Sequence, residues 1–95
     1  MIVVRNCFTA KPGCASKLAS MMKTAFAAGD IPKHRVLTDW TGDMNRVIVE
    51  FEAADAGSAE TMMQNYRSSP AFQELMKGYT DLWISGTREI LRVVD

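Results

Sequence analysis

Asn6 is the residue of this chain whose type and position point most directly to chemistry. It lies in a predicted first strand, on the side that also carries Ile2, Val4 and Phe8. A buried amide without a hydrogen-bond partner costs roughly 1–3 kcal/mol, so Asn6 is either satisfied within the core or faces a polar cavity. In a cavity, its amide could donate to a substrate carbonyl or to a reduced-oxygen species, provided that the donor is preorganised. The sequence leaves both interpretations open.

His34 is the single histidine, and it begins a predicted strand between Lys33 and Arg35. A general base is normally oriented by a hydrogen-bonding partner, and no carboxylate stands at a spacing that would clearly supply one. We interpret His34 as a solvated strand end, with substrate binding as the functional alternative. An isomerase or lyase would require His34, or a carboxylate, inside a pocket.

Aromatic and methionine side chains recur at helical spacing in the second half of the chain. Side chains of this kind are usually core, and they can also line a deformable apolar pocket. The residues that could bind a small substrate in this way are Tyr66, Phe72, Met76, Tyr79 and Trp83.

Length and composition limit the classes of function. The 95 residues form one domain, and 11 Lys and Arg residues balance 11 Asp and Glu residues. A net charge near zero disfavours nucleic acid or an anionic membrane as the main partner. No apolar run is long enough to span a membrane and no secretory signal is visible, so we expect a cytoplasmic protein. Cys7, Cys14 and His34 are too few for a structural zinc site, and we expect two reduced thiols and no metal.

Hydrophobic periodicity divides the chain into strands and helices in the order β-α-β-β-α-(α)-β. Alternation predicts strands, spacing of three to four predicts helices, and Asp55 and Ser69 are predicted helix caps. The predicted elements are strands at Ile2–Thr9, His34–Trp40, Arg46–Glu52 and Thr87–Val94, and helices at Cys14–Ala28, Asp55–Arg67 and from Ser69 onward.

This order predicts an α+β, ferredoxin-like fold, in which a four-stranded antiparallel sheet carries its helices on one face. The other face would mix apolar side chains with Arg5, Arg46 and Glu50, and the last strand would add either Ile90 or Leu91 with their charged neighbours. Burial against a second copy would satisfy such a face, with opposite charges pairing across a two-fold axis. We therefore predict a homodimer, and the alternative is a monomer with a partly polar open face.

The chain resembles the dimeric α/β-barrel superfamily, and within it the antibiotic biosynthesis monooxygenase-like proteins. The resemblance implies that two sheets close into a barrel at the dimer interface, and that each subunit holds a small pocket between sheet and helices. It rests on Val4-x-Asn6-x-Phe8-x-x-Lys11-Pro12-Gly13, on Arg46-Val47-Ile48-Val49-Glu50-Phe51-Glu52, on Ser69-x-x-Phe72 and on Gly86-Thr87-Arg88-Glu89-Ile90-Leu91.

The resemblance also implies two kinds of oxygen chemistry. The haem-degrading branch carries an asparagine, a tryptophan and a haem-binding histidine. Asn6 matches the asparagine, but Tyr66 stands where the tryptophan would be and Met76 where the histidine would be. We therefore expect no haem and no other cofactor. The cofactor-independent branch uses asparagine, tryptophan, tyrosine and arginine around an aromatic substrate. Of these four residues, only the asparagine can be aligned with a position in this chain, Asn6.

The leading hypothesis is a cofactor-independent monooxygenase that acts on a small aromatic or quinol-like compound, with Asn6 as its catalytic residue. The alternative is a non-enzymatic module that binds a small ligand or serves dimerisation, because the chain shows no secure acid, base or nucleophile constellation.

Overall fold

A single four-stranded antiparallel sheet forms the centre of the computed structural model, which describes all 95 residues. The strand order β2-β3-β1-β4 and the helices confirm the predicted α+β, ferredoxin-like fold. No helix is both long and apolar enough to cross a membrane. The elements are β1 (Ile2–Ala10), α1 (Ala15–Ala28), β2 (Arg35–Thr38), β3 (Arg46–Ala53), α2 (Ala56–Ser68), α3 (Pro70–Leu75), a 3-10 turn (Tyr79–Asp81) and β4 (Trp83–Arg92).

The hydrophobic core lies between one face of the sheet and the helices. Alternate residues of β1 and β3 point to this face, and α1 contributes Leu18 and Met22 from the apolar side predicted for it. Burying a side chain of this size stabilises the fold by about 1.5–3 kcal/mol. The core residues of the two central strands are Val4, Val47, Val49 and Phe51, each at most 1% exposed.

Side-chain caps start both α2 and α3, as predicted. The carboxylate of Asp55 accepts a hydrogen bond from the Ser58 backbone N–H at 2.8 Å and starts α2. The hydroxyl of Ser69 accepts from the Phe72 backbone N–H at 3.3 Å and starts α3, with Pro70 in its first turn. Each cap is worth about 1 kcal/mol. Together they fix where α2 and α3 begin.

The predicted bounds were wrong by two residues or more for β2 and β4, whereas β1 and β3 each extend one residue further than predicted. β2 ends at Thr38 rather than Trp40, because the Asp39 carboxylate turns back to accept hydrogen bonds from the backbone N–H and Nε of Arg46. Trp40 is then left 98% exposed in the loop. β4 begins at Trp83 rather than Thr87, because Trp83 pairs with Ala10 across an irregularity at the end of β1.

The second face of the sheet carries no helix, and its buried acid, Glu50, is paired within the chain. The register sets Arg5 opposite Glu50 on β3 and Glu89 on β4, so Leu91 and Glu89 lie on this face. Glu50 accepts hydrogen bonds from Arg35 and from Arg5, the latter at 2.9 Å. Glu50 therefore has partners in its own subunit, and pairing of charges across a two-fold axis stays a prediction. Closure with a second sheet stays a prediction.

Candidate functional site

A cavity of about 280 Å³ lies between the helix-covered face of the sheet and the helices. Every strand except β2, all three helices and the 3-10 turn contribute to its wall or border it. Eight of the twelve lining residues are hydrophobic. The lining residues are Asn6, Phe8, Met22, Phe26, Val49, Tyr66, Arg67, Phe72, Gln73, Met76, Tyr79 and Arg88.

Asn6 lies in the sheet wall of this cavity, at the middle of β1. The register places it between Val49 of β3 and Arg88 of β4, and it is only 7% exposed. Its Oδ1 accepts a hydrogen bond from Arg88 Nε at 2.7 Å. A guanidinium group can only donate, so the amide oxygen must face Arg88 and the Nδ2 group must face away from it. No protein acceptor meets Nδ2, which leaves this donor available to a ligand in the cavity.

Three aromatic rings form the helix side of the cavity. Phe26 of α1, Tyr66 of α2 and Phe72 of α3 have ring centroids 4.8–5.6 Å apart, within the range of favourable aromatic packing. The caps at Asp55 and Ser69 start the two short helices that carry Tyr66 and Phe72. The helix wall is thus apolar and aromatic, which suits a flat ring.

Phe8 completes the sheet wall, and it fits because residue 86 is glycine. The Cβ of any larger residue there would lie 3.1 Å from Phe8 Cδ1, closer than such contacts normally are. On its other side Phe8 packs against Trp83, with ring centroids 5.3 Å apart. The position of this part of the wall therefore depends on Gly86 and Trp83 together.

Tyr66 adds a hydroxyl whose ionisation depends on its surroundings. Burial raises the pKa of the Tyr66 phenol above its ordinary value of 10, and the positive charges of Arg88 and Arg67 partly oppose that rise. The hydroxyl therefore stays protonated at neutral pH. Both arginines also line the cavity.

The cavity changes from apolar to cationic toward solvent. Its exposed lining residues are Arg67, Gln73 and Arg88, whereas the remaining ones are buried or half-buried. Gln73 Nε2 donates to the backbone carbonyl of Arg67 at 2.8 Å, and Arg67 Nε donates to the Met63 carbonyl at 3.1 Å. No carboxylate lines the cavity. We call the surface formed by Arg67, Gln73 and Arg88 the cavity mouth.

The structure brings five of the seven sequence-predicted site residues to one cavity. These five are Asn6, Tyr66, Phe72, Met76 and Tyr79. They come from β1, α2, α3 and the turn that follows, elements that meet only because the helices pack on the same face of the sheet.

The other two predicted site residues, Trp83 and His34, do not line this cavity. Trp83 lies behind Phe8, with its ring also 6.5 Å from that of Tyr79, and its buried Nε1 has no acceptor. His34 is half-buried before β2, where its Nδ1 lies 2.6 Å from the Ile31 carbonyl oxygen. His34 is held by a local contact, whereas Trp83 packs against a distant segment, and their spacing in the sequence revealed neither arrangement.

Arg88 is the functional candidate that sequence reasoning did not single out. The alternation of residues in β4 was compatible with Arg88 on either face of the sheet. The register of β4 against β1 decides which face its side chain occupies. Arg67 and Gln73 were missed because polar residues near helix ends resemble an ordinary solvated surface. That the two arginines lack an acidic partner became evident only once the structure showed which residues lie next to each other.

The donors at the cavity do not match those that the resemblance implies for haem. Met76 reaches the cavity after the end of α3, and no histidine or cysteine lines the wall. No group of three or more His, Cys, Asp or Glu side chains is arranged to hold a metal ion. The imidazole ligand of the haem-degrading branch is thus missing, and the chemistry proposed below uses no haem.

Comparisons with known proteins identify the fold. No protein-family model matches the chain, and no curated protein matches it significantly. Solved structures do match over nearly the whole length. An uncharacterised NIPSNAP domain protein from Burkholderia xenovorans has a TM-score of 0.84 at 12% identity, covering 99% of this chain and 95% of that chain. A NIPSNAP family protein from Agrobacterium tumefaciens has a TM-score of 0.86 at 14% identity, covering 99% and 93%.

An antibiotic biosynthesis monooxygenase is also similar, with a TM-score of 0.75 at 13% identity and full coverage of both chains. The predicted resemblance is therefore confirmed at the level of the fold. At identities this low, the similarity carries the architecture and leaves the reaction to be argued from the site.

Proposed function

We propose that the cavity binds one small aromatic or quinol-like molecule and that the protein oxygenates it without a cofactor. The observation that supports this proposal most strongly is the geometry of Asn6. It is a buried amide whose oxygen is held by Arg88 and whose Nδ2 donor is left for the cavity. The similarity in fold to an antibiotic biosynthesis monooxygenase agrees with the proposal.

The proposed reaction begins with a phenolic substrate whose keto tautomer has a ring CH2 group. Its carbanion transfers electrons to O2, and a carbon–oxygen bond forms to give a hydroperoxide. Loss of water then leaves a carbonyl. One oxygen atom enters the product and the other leaves as water, with the CH2 group supplying both hydrogens and all four electrons.

The protein would assist by orientation and by exclusion of water. The Nδ2 group of Asn6 would donate to the oxygen that becomes negative, and the rings of Phe26, Tyr66 and Phe72 would hold the substrate plane. A fixed donor in an apolar cavity stabilises developing charge more strongly than water does, because it needs no reorganisation. Correct placement of the reactants lowers the barrier further.

Oxygen uptake with a panel of hydroquinones tests the proposal. Asn6→Ala removes the donor, and Asn6→Asp keeps the shape and the acceptor for Arg88 but also removes the donor. We expect both variants to lose roughly 100-fold or more of the rate, as expected for removal of one oxyanion donor. Asn65→Ala removes an exposed amide on α2 and serves as the matched control. Equal rates in wild type and both Asn6 variants, or no uptake by the wild type, would contradict the proposal.

A homodimer is the second part of the proposal. The helix-free face of the sheet carries Leu37 and Leu91, each 37% exposed, and half-buried Ile48. An apolar patch of this kind on two identical sheets is self-complementary about a two-fold axis. Sedimentation should give twice the 10.6 kDa chain mass, and Ile48→Lys should reduce it to one chain. A wild-type particle of 10.6 kDa at micromolar concentration would overturn the dimer.

The other sequence-based hypotheses differ in what they require of the cavity. A non-enzymatic binding module would be favoured by a cavity that no polar group reaches, whereas Asn6 and Arg88 reach this one. An isomerase or lyase would need His34 or a carboxylate, and neither lines the wall. Oxygen uptake separates these alternatives from the proposal. The cytoplasmic location stays a prediction.

A further inference from the structure

The two arginines at the cavity mouth have no acidic partner, unlike Arg5, Arg35 and Arg46, and of the unpaired arginines only these two line the cavity. Arg5 and Arg35 both pair with Glu50, and Arg46 pairs with Asp39. Arg67 and Arg88 form no ion pair, and their Nε groups donate to a carbonyl and to an amide oxygen. The terminal nitrogens of both guanidinium groups are therefore free to bind something else.

These two positive charges belong to one site rather than to two separate patches. Both arginines line the same cavity, and both act on the ionisation of the Tyr66 phenol. No Asp or Glu lines the cavity, and burial raises the pKa of the Tyr66 phenol, so the two arginines have no carboxylate in the wall to balance their charge. A neutral ligand would leave this positive potential uncompensated.

The interior of the cavity sets a different requirement for the rest of the ligand. Its wall is made of aromatic, methionine and valine side chains, with the Asn6 amide as its buried polar group. A volume of about 280 Å³ is at the lower end for small-molecule sites. The body of the ligand must therefore be compact and apolar, with its charge at one end only.

We propose that the ligand is a small aromatic monocarboxylic acid, with its carboxylate bound by Arg88 and Arg67 at the mouth and its ring beside Asn6. The planar guanidinium fork suits a carboxylate because it can donate two parallel hydrogen bonds. This assignment names the substrate class of the proposed oxygenation and rests on that function for the reaction. The binding it describes can be measured without turnover.

Equilibrium binding of a matched pair of probes tests the assignment. Naphthalene carboxylate and naphthalene carboxamide have nearly the same shape and differ in charge. In oxygen-free buffer, titrations followed by NMR should show the acid binding about tenfold more tightly, because charge-assisted hydrogen bonds are stronger than neutral ones. The advantage should shrink as salt is added, since the arginines are exposed and screened.

Variants at the mouth then identify the groups responsible. Arg88→Gln should reduce the preference for the acid to about twofold or less, and Arg67→Gln should reduce it in part. Arg92→Gln is the matched control, because Arg92 lies on the same face of β4 but does not line the cavity. It should leave the preference unchanged.

Equal affinities for the two probes, including no binding of either, would overturn the assignment. So would a preference that survives both Arg88→Gln and Arg67→Gln. An acid preference without oxygen uptake would refute the proposed reaction and leave the ligand class standing. Oxygen uptake that depends on Asn6, together with no preference for the acid probe, would refute the ligand class and leave the proposed reaction standing.

Discussion

Arginines on the helix-free face of the sheet are paired with an acid, whereas Arg88 on the helix-covered face is not. On the helix-free face, Arg5 and Arg35 enclose the carboxylate of Glu50, which is only 5% exposed. On the helix-covered face, Arg88 holds Asn6 and meets no acid. All three arginines are cations on strands of one sheet. The difference lies in what the neighbouring strand places opposite each of them.

Glu50 shows how a paired site reaches electrostatic balance. Burial alone would raise the pKa of its carboxyl, but the hydrogen bonds and charges of Arg35 and Arg5 outweigh burial and hold the pKa below its ordinary value of 4.5. The site is thus complete without a ligand. The two arginines at the cavity mouth have no acidic partner. Two unpaired cations beside an apolar cavity are typical of a binding site rather than of surface stabilisation.

The largest effect on stability should come from removing the acid of the paired cluster on the helix-free face. Glu50→Gln leaves two arginines without their acid, and we expect the free energy of unfolding to fall by about 1–3 kcal/mol near neutral pH. Urea denaturation at one fixed protein concentration measures this loss. A change below the error of the measurement would show that the cluster does not stabilise the fold.

The pH dependence of that loss follows from the lowered pKa of Glu50. The stabilising contribution is fully present above the unfolded pKa of about 4.5 and is lost as the pH falls through the lower folded value. The difference in stability between wild type and Glu50→Gln should therefore shrink below about pH 4.5. A difference that grows on acidification would have the wrong sign.

A somewhat smaller effect is expected where the cavity wall is tightest. Gly86→Ala would bring a Cβ to 3.1 Å from Phe8 Cδ1, so the ring must shift. We expect a cost of about 1 kcal/mol, as for mild overpacking, together with weaker binding of the naphthalene probes. Gly57→Ala on α2, where the nearest atom is 3.5 Å away, is the control. Its binding should match that of the wild type, and unchanged binding by Gly86→Ala would place Phe8 outside the ligand site.

Arg67 should contribute little to stability. Arg67→Gln changes an exposed side chain that forms no ion pair, so we expect a shift within about 0.5 kcal/mol in the same urea experiment. Together with a partial loss of the acid preference, this result would separate binding from folding at Arg67. A destabilisation as large as that of Glu50→Gln would instead make Arg67 structural.

The smallest expected effect is spectroscopic. The pKa of Tyr66 is raised by burial and lowered in part by Arg88 and Arg67, so Arg88→Gln should raise it further. Tyrosinate absorbance during an alkaline titration measures the change, and Tyr66→Phe identifies the signal. A downward shift in Arg88→Gln would show that the guanidinium does not face the phenol.

Local patterns determined much of this protein. Alternation in β1 and β3, helical spacing in α1, and the caps at Asp55 and Ser69 were predicted from residues close together in the chain, and the structure confirms them. The ferredoxin-like order followed from the succession of elements. These features depend on the preferences of neighbouring residues, which a sequence displays directly.

Tertiary structure alone decided which charged side chains meet. Arg88 is 82 residues from Asn6 along the chain and hydrogen-bonds to it, and Arg5 is 45 residues from Glu50. The ends of β2 and β4, and the position of Trp83 behind Phe8, likewise depend on contacts with distant segments. Strand register and helix docking set these distances, and a shift of one residue in register would turn Arg88 to the other face.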